Sequence, residues 1–283
     1  MKLSAWHRQQ GDTVGWYNPL TAWQDPPDRA YMSKVFTFTT DYQHPVCARE
    51  IIRGGTGYSY PDGGAVLPPE IEHIYPDYSL YPELTKDTAY GFLTRGCPRG
   101  CDFCIVGVKE GRASRKVADL AEFWRGQKNI MLLDPNFFAC PDWRELAGQL
   151  IESGAWVDFS QGCDIRIMDA EKTESLKRMK IDQIHFAWDR YADKDIIVPK
   201  LAEFARQTGW GYWKMGVYVL TNFDTTIEQD LERVYTLRDM GYSPFVMIYN
   251  KQDIPRGHTL RRLQRWVNAH NVFRAVEKFE DFK

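Results

Sequence analysis

Three cysteines lie close together in the segment RGCPRGCDFC, at positions 97, 101 and 104. The chain has six cysteines in total, and no fourth one follows soon after these three. Four thiolates would complete a structural zinc site or an all-cysteine iron–sulfur cluster. Three thiolates leave one coordination position open, and an open position on a metal centre is where outside molecules react. The spacing therefore predicts a reactive metal centre held by Cys97, Cys101 and Cys104.

The residues around the cysteines suit a ligand loop. Gly96 and Gly100 permit tight turns, and Pro98 stiffens the chain between them. Closely spaced backbone N–H groups in such turns can bond to thiolate and sulfide. Arg95 and Arg99 add positive charge, which favours the thiolate over the thiol. Two alternatives stay open at this point: a zinc loop completed by a distant His or Cys, and a disulfide.

Composition and charge limit the class of protein. The chain has 283 residues, 43% of them hydrophobic, with a mean hydropathy of -0.48. No apolar run approaches the length of a membrane-spanning helix, and the first ten residues contain no apolar signal core. We therefore expect a cytoplasmic protein without a membrane partner, in a compartment where clustered cysteines bind metal more often than they form disulfides. A net charge of -2 argues against a surface dominated by phosphate-binding cations.

Short apolar runs alternate with amphipathic stretches from about residue 89 onward. Four stretches, which begin near residues 142, 169, 194 and 226, have helical periodicity, with Asp169 and Thr225 near the predicted N-caps. Six runs are short, rich in branched or aromatic residues, and end at Asp, Gly or Asn, as buried strands do: AYGFLTRG, NIMLLDP, WVDFSQG, QIHFAWD, MGVYVLTN and PFVMIYN. The alternation predicts an α/β fold with a parallel sheet and functional groups at the carboxyl ends of its strands.

The cysteine spacing, with the aromatic residue Phe103 just before the last cysteine, resembles the signature of the radical S-adenosylmethionine (radical SAM) enzymes. The resemblance implies that the three thiolates hold three irons of a 4Fe–4S cluster and that S-adenosylmethionine chelates the fourth. It implies reductive cleavage of this molecule to a 5′-deoxyadenosyl radical, which abstracts hydrogen from a substrate. The electron would come from an external donor of the flavodoxin or ferredoxin type. The implied fold is a partial (βα)6 barrel with a C-terminal helix, over residues 89–283.

Polar residues at the predicted strand ends are candidates for cofactor binding. Asp134 and Asn136 end the second strand, where many radical SAM enzymes have a Gly-Gly-Glu that binds the methionine amino group. The ending in this chain is instead similar to that of the methylthiotransferase and Elongator-like branch. For Asp164 and Arg166, an ion pair that holds the barrel together is the alternative. The expected cofactor-binding residues are Phe103, Asp134, Asn136, Gln161, Asp164, Arg166, Asp189 and Asn222.

The other three cysteines have no cysteine partner within chelating spacing. An isolated cysteine is usually a small buried apolar residue, so we expect Cys140 and Cys163 to pack in the core. A second cluster or a thiyl-radical site is the alternative for these two residues. Cys47 also stands alone. No residue pattern singles out a catalytic residue.

Residues 1–88 differ in pattern from the rest. MKLSA, DTVGWY and KVFTFTT predict short strands, and WHRQQG predicts a helix between the first two. The segment and its PDYSLY connector resemble a reduced form of the front domain of the cobalamin-dependent radical SAM branch. An Asp-x-His-x-x-Gly motif is absent, so we expect no tight cobalamin binding. We expect the segment to cover the open side of the barrel with Trp16, Phe36, Tyr58 and Tyr78.

Two further functions stay open. The basic tail of the chain places arginines beside aromatic residues, which is consistent with RNA or nucleotide modification of the methylthio- or methyl-transfer type. A solvated amphipathic helix that closes the barrel is the simpler interpretation of the same tail. The second function is that of a non-catalytic metal-binding or electron-transfer protein. The arginines of the tail are Arg261, Arg262, Arg265 and Arg274.

Overall fold

The six apolar runs predicted as strands all form strands, in the predicted order. The computed structural model describes residues 1–283. The strands are β1 (Arg29–Ser33), β2 (Glu50–Gly54), β3 (Thr88–Gly91), β4 (Thr94–Arg95), β5 (Arg115–Lys116), β6 (Asn129–Leu132), β7 (Trp156–Phe159), β8 (Lys180–Ile181), β9 (Ile184–Ala187), β10 (Met215–Thr221) and β11 (Ser243–Ile248). The helices are α1 (Lys2–Gln9), α2 (Pro69–Glu72), α3 (Pro82–Thr85), α4 (Val106–Lys109), α5 (Trp143–Ser153), α6 (Ala170–Arg178), α7 (Lys194–Thr208), α8 (Ile227–Asp239), α9 (Thr259–Asn268) and α10 (His270–Ala275).

The six strands belong to two parallel sheets. One has the order β3-β6-β7-β8 and the other the order β9-β10-β11. A single backbone hydrogen bond, from Cys163 N to the His185 carbonyl at 2.7 Å, joins the loop after β7 to β9. The predicted α/β fold with parallel strands is confirmed, but β7 and β9 do not form a ladder, so the hydrogen bonding is not that of one continuous six-stranded sheet.

The four long helices between the strands form where the periodicity predicts them. Asp169 caps α6 with its side chain, as predicted, whereas Thr226 rather than Thr225 caps α8. Gly154 and Gly209 follow α5 and α7 in the left-handed conformation, which glycine adopts without steric strain. None of the helices combines the length and apolar character needed to cross a lipid bilayer.

The core lies between these helices and one face of the strands. Ile184 and Phe186 of β9 are fully buried, and the Phe186 ring lies 4.8 Å from that of Phe204 on α7. His185, between them, points to the opposite face because successive strand side chains alternate. We call that opposite face, which carries no packed helix at His185, the inner face of the sheets.

The front segment differs from its sequence-based prediction. Helix α1 contains residues 2–5, which were predicted as a strand, together with residues 6–9 of the predicted helix, and neither residues 12–17 nor residues 34–40 form a strand. Its two strands, β1 and β2, are in unpredicted places and pair in parallel. A short apolar run does not by itself distinguish helix from strand.

Contacts of the front segment with the rest of the chain are also unlike those predicted. Tyr78 packs against the core and donates a hydrogen bond to the Phe123 carbonyl at 2.7 Å. Trp16 and Phe36 are 67% and 57% exposed, so these two side chains do not cover the sheets. The boundary at residue 88 stays a prediction.

Candidate metal centre and active site

The cysteine loop lies between β4 and α4, at the carboxyl end of the first predicted strand. Gly96 has a φ of 87°, and a Cβ atom there would lie 2.2 Å from the Ala113 carbonyl oxygen. Only glycine therefore fits where the loop passes this backbone. The Cys97 N–H donates to the Gly111 carbonyl at 3.1 Å, which closes the base of the loop.

The three thiols of the loop share one electrostatic environment. Cys97 and Cys101 are partly buried, and Cys104 is exposed. Burial raises the pKa of Cys101 and of Cys104, and the charges of the neighbouring thiols and of Asp189 raise both further. Arg166 opposes this effect at Cys101. The thiols are thus close enough for the ionisation of one to affect the others.

Asn136, which follows β6, contacts this loop directly. Its side-chain nitrogen lies 3.5 Å from Sγ of Cys97, and the residue is 3% exposed. Its side-chain oxygen is buried and has no hydrogen-bond partner. Buried polar atoms are nearly always paired, so an orphaned acceptor beside a thiol indicates a place where a donor from a bound molecule would fit.

Asp134, also after β6, has a different position. Its carboxylate accepts hydrogen bonds from the Leu93 N–H at 3.1 Å and from the N–H and hydroxyl of Thr94 at 2.6 and 2.7 Å. Burial raises its pKa to about 6, against the opposing effect of these hydrogen bonds. The carboxylate thereby fixes the backbone that leads into the cysteine loop, and its binding of a cofactor stays a prediction.

An ion-pair network joins the cysteine loop to the loop after β7. Arg99 donates to Asp164 at 2.5 Å, and Arg166 donates to Asp164 at 2.7 Å and to Asp193 at 2.8 Å. Burial acts to raise the pKa of Asp164, but the hydrogen bonds from Arg99 and Arg166 hold this pKa below its usual value. The ion pair considered as the alternative for Asp164 and Arg166 is therefore present.

An aromatic contact joins the cysteine loop to the ends of β10 and β11. The ring of Phe103 lies 5.3 Å from that of Phe223, which lies 5.1 Å from that of Tyr249. Asn222 adopts a left-handed conformation, and its side chain donates to the Tyr249 carbonyl at 2.9 Å. Gln161 is exposed and makes no comparable contact.

The ends of β9 and β10 are held by a buried arginine that the sequence analysis missed. Arg233 of α8 is fully buried and donates to the carbonyl oxygens of Trp188, Asp189 and Leu220 at 2.6, 3.0 and 2.7 Å. It also donates to the buried Asp230 at 2.5 Å. The signal was available, because Arg233 occupies the apolar face of a helical pattern, where charge is uncommon unless it is paired.

Arg233 positions the site residue Asp189 by donating a hydrogen bond to the backbone carbonyl of Asp189. Burial raises the pKa of Asp189 to about 6, while the charges of Arg233 and Arg166 act to lower it. Asp189 in turn affects the pKa of Cys101 and Cys104. The cysteine loop thus contacts residues after β6, β7 and β10 and lies near Asp189 after β9, whereas Tyr249 after β11 is linked to it through Phe223.

The remaining cysteines do not belong to this loop. Cys140 and Cys163 are 1% and 4% exposed and belong to the hydrophobic core, which confirms the predicted packing. Cys47 is exposed in the front segment.

The arginines of the tail have partners within the chain. Arg262 and Arg265 lie 4.4 and 5.2 Å above the rings of Phe279 and Phe282, and Arg261 donates to two backbone carbonyls. These contacts pack the last residues of the chain against α9, as the closing-helix interpretation predicts.

The donor set of the loop fits an iron–sulfur cluster. No group of three or more His, Cys, Asp and Glu side chains converges closely enough to hold one metal ion. In a 4Fe–4S cluster with three cysteine ligands, each thiolate binds a different iron, so the sulfurs surround the cluster rather than one point. Three free thiols in one loop, without a fourth, are a donor set of the kind that such a cluster uses.

Comparisons with known proteins give one structural relative to report. No family model matches the sequence, and no curated protein matches it. The chain is similar to the radical S-adenosylmethionine methyltransferase TsrM from Kitasatospora setae, solved with cobalamin and a 4Fe–4S cluster bound, at 13% identity and a TM-score of 0.42. The match covers 83% of this chain and 43% of TsrM, so the chain spans less than half the length of that protein.

Proposed function

We propose that this chain is a radical SAM enzyme built on a partial (βα)6 barrel. The observation that carries the proposal is the position of the cysteine loop, which lies beside residues that follow four of the other five strands and is linked through Phe223 to Tyr249 after the fifth. Carboxyl ends of parallel strands are where such folds place their chemistry. Three thiols there, without a fourth, supply the ligands that an open iron–sulfur site requires.

Cys97, Cys101 and Cys104 would be the cluster ligands. Bound S-adenosylmethionine and the cluster would together supply the 5′-deoxyadenosyl radical for hydrogen abstraction from substrate. Burial raises the pKa of the Cys101 thiol, and the charge of Arg166 reduces that rise, which favours the thiolate that iron binds. The Asp164 ion pairs fix the loop that bears Arg99 while these thiolates take up their ligand positions.

Asn136 and Asp189 would contact the S-adenosylmethionine molecule. The orphaned oxygen of Asn136 is an acceptor beside Cys97 and suits the amino group of the methionine part. Asp189 lies near Cys101 and Cys104 and offers a carboxylate to ribose hydroxyls. Phe103 would pack beside the bound molecule while Phe223 fixes its ring.

The electron would come from an external one-electron carrier of the flavodoxin or ferredoxin type. Cys104 is exposed, and the surface of the segment that follows it in the chain carries the exposed cations Lys109, Arg112 and Arg115. Such a surface favours an approaching protein of negative charge. A reducing cytoplasm suits both this partner and an oxygen-sensitive cluster.

Iron and acid-labile sulfide analysis of protein purified without oxygen tests the proposal. We expect about four irons and about four sulfides per chain, as a 4Fe–4S cluster requires. A chain that contains zinc and no sulfide would contradict the proposal and support a non-catalytic zinc protein. RNA modification by the same cluster has less support, because the tail arginines pack on aromatic rings of this chain.

A further inference from the structure

The middle of the inner face carries three polar side chains that the proposed cofactor site does not use. They are Asp158 of β7, His185 of β9 and Tyr218 of β10. The Tyr218 hydroxyl lies 3.4 Å from the Ser160 carbonyl, so the group bridges the two sheets. All three side chains are partly exposed.

His185 and Tyr218 are held in a fixed arrangement. Their rings are 4.8 Å apart and only 3° from parallel. Gly216 makes room for the imidazole, because a Cβ atom there would lie 2.6 Å from Cδ2 of His185. The His185 Nδ1 atom is buried without a hydrogen-bond partner. Burial and the charge of Asp158 raise the pKa of Tyr218, so this rigid aromatic platform lies beside Asp158.

The charge beside this platform is negative and comes from Asp158. Burial lowers the pKa of His185, so its imidazole is neutral at pH 7. Burial and the charge of Asp182 raise the pKa of Asp158, and no cation acts on it. Lys180 is in register with Trp156 at the amino end of β7, and Asp158 forms no salt bridge. Asp158 is thus a carboxylate without a counter-ion.

We propose that the inner face binds a cationic group of the substrate, an alkylammonium or a guanidinium, between Asp158 and the ring of Tyr218. This inference rests on the proposed function and names the substrate class for the same barrel. A cation over an aromatic face and next to an unpaired carboxylate gains from both interactions. Phe245, 38% exposed and 6.0 Å from Tyr218, offers apolar surface for the carbon chain of such a group.

A phosphorylated substrate would fit this face poorly. Arg and Lys are the usual side-chain ligands of phosphate, and Arg99 and Arg166, which join the cysteine loop to the loop after β7, are already paired with carboxylates. The cations of the site therefore lie at the strand ends, and the unpaired anion lies deeper on the inner face.

Nuclear magnetic resonance of the full chain, labelled with 13C in its histidine rings, tests the proposal. The probes are N-acetyl-argininamide, its neutral isostere N-acetyl-citrullinamide, and AMP. The His185 signal is assigned as the one that is missing from the His185→Gln variant. We expect only the arginine probe to shift this signal. Asp158→Asn should weaken that binding about tenfold, the effect of losing one charge-assisted contact. The matched control, Asp239→Asn, removes an exposed carboxylate and should leave the binding unchanged.

Equal shifts with the arginine and citrulline probes, or a shift with AMP alone, would overturn the proposal. Asp158→Glu keeps the charge and should retain binding, which guards against a folding defect in Asp158→Asn. Cleavage of S-adenosylmethionine is measured on the same samples. Cleavage without arginine-probe binding overturns the substrate class alone, whereas absence of iron and sulfide overturns the proposed function alone.

Discussion

The side-chain nitrogen of Asn136 lies 3.5 Å from Sγ of Cys97, and the oxygen of the same amide is buried without a partner. The contact joins the end of β6 to the cysteine loop. One amide thus touches a predicted cluster ligand and presents an unused acceptor next to it. That combination favours a bound molecule with a donor group at this position.

Replacing Asn136 with Ala is expected to weaken binding of S-adenosylmethionine roughly 10- to 100-fold, because a hydrogen bond to a charged group is worth about 1.5–3 kcal/mol. Iron content should not change, since Asn136 is not a ligand. Equilibrium dialysis of the cluster-loaded protein measures the affinity. Asn271→Ala, at an exposed position on α10, is the control. Equal affinities in the two variants would show that Asn136 does not contact the molecule.

Single replacement of Cys97, Cys101 or Cys104 with Ala is expected to remove most of the iron and sulfide, because each thiolate would hold its own iron. The control is the variant in which Cys47, Cys140 and Cys163 are all replaced by Ala. This triple variant should keep its iron even if it is less stable, since two of these residues lie in the core. Loss of half the iron from the triple variant would reveal a second cluster.

Replacing Arg233 with Met is expected to lower the free energy of unfolding by about 3–5 kcal/mol, because Asp230 would remain buried without its partner. The backbone at Asp189 would also lose its donor. Urea unfolding of the metal-free protein measures the change. Arg206→Met removes a 73% exposed side chain from an ion pair on α7 and should change the value by less than about 1 kcal/mol. Similar values for both variants would contradict the role assigned to Arg233.

Asp189 should make stability depend on pH. Burial raises its pKa from the usual 3.8 to about 6. The folded chain then holds the proton of Asp189 more tightly than the unfolded chain does. The stability that protonated Asp189 contributes is therefore fully present below the pKa of the unfolded chain and is lost as the pH rises through about 6. Asp189→Asn should therefore lose less stability than the parent between about pH 4 and pH 7. Urea unfolding of both proteins across this range measures the difference. Parallel curves of unfolding free energy against pH for the two proteins would refute the role assigned to Asp189.

Much of residues 89–283 was predictable because local signals suffice there. Buried parallel strands are continuous apolar runs, and helix ends such as Asp169 and Gly154 carry their own capping signals. The front segment lacked such signals. β1 and β2 are short and half-buried, and they exist only because residues far apart in sequence pair.

The cysteine loop of the candidate site was visible in the sequence, but its supporting contacts were not. The cysteine spacing is local and was visible directly. The roles of Asp134 and Asn222 depend on which backbone groups the folded chain brings to them, namely Thr94 and the Tyr249 carbonyl. Arg233 could be recognised as unusual, but its partners at the ends of β9 and β10 are known only from the fold.

The most direct test of the central claim is 5′-deoxyadenosine formation by the anaerobic, cluster-loaded protein with S-adenosylmethionine and dithionite. We predict that the parent chain forms 5′-deoxyadenosine and that Cys101→Ala forms none. If the parent chain contains a full complement of iron and sulfide but produces no more 5′-deoxyadenosine than Cys101→Ala, the cluster does not cleave S-adenosylmethionine and the claim is wrong.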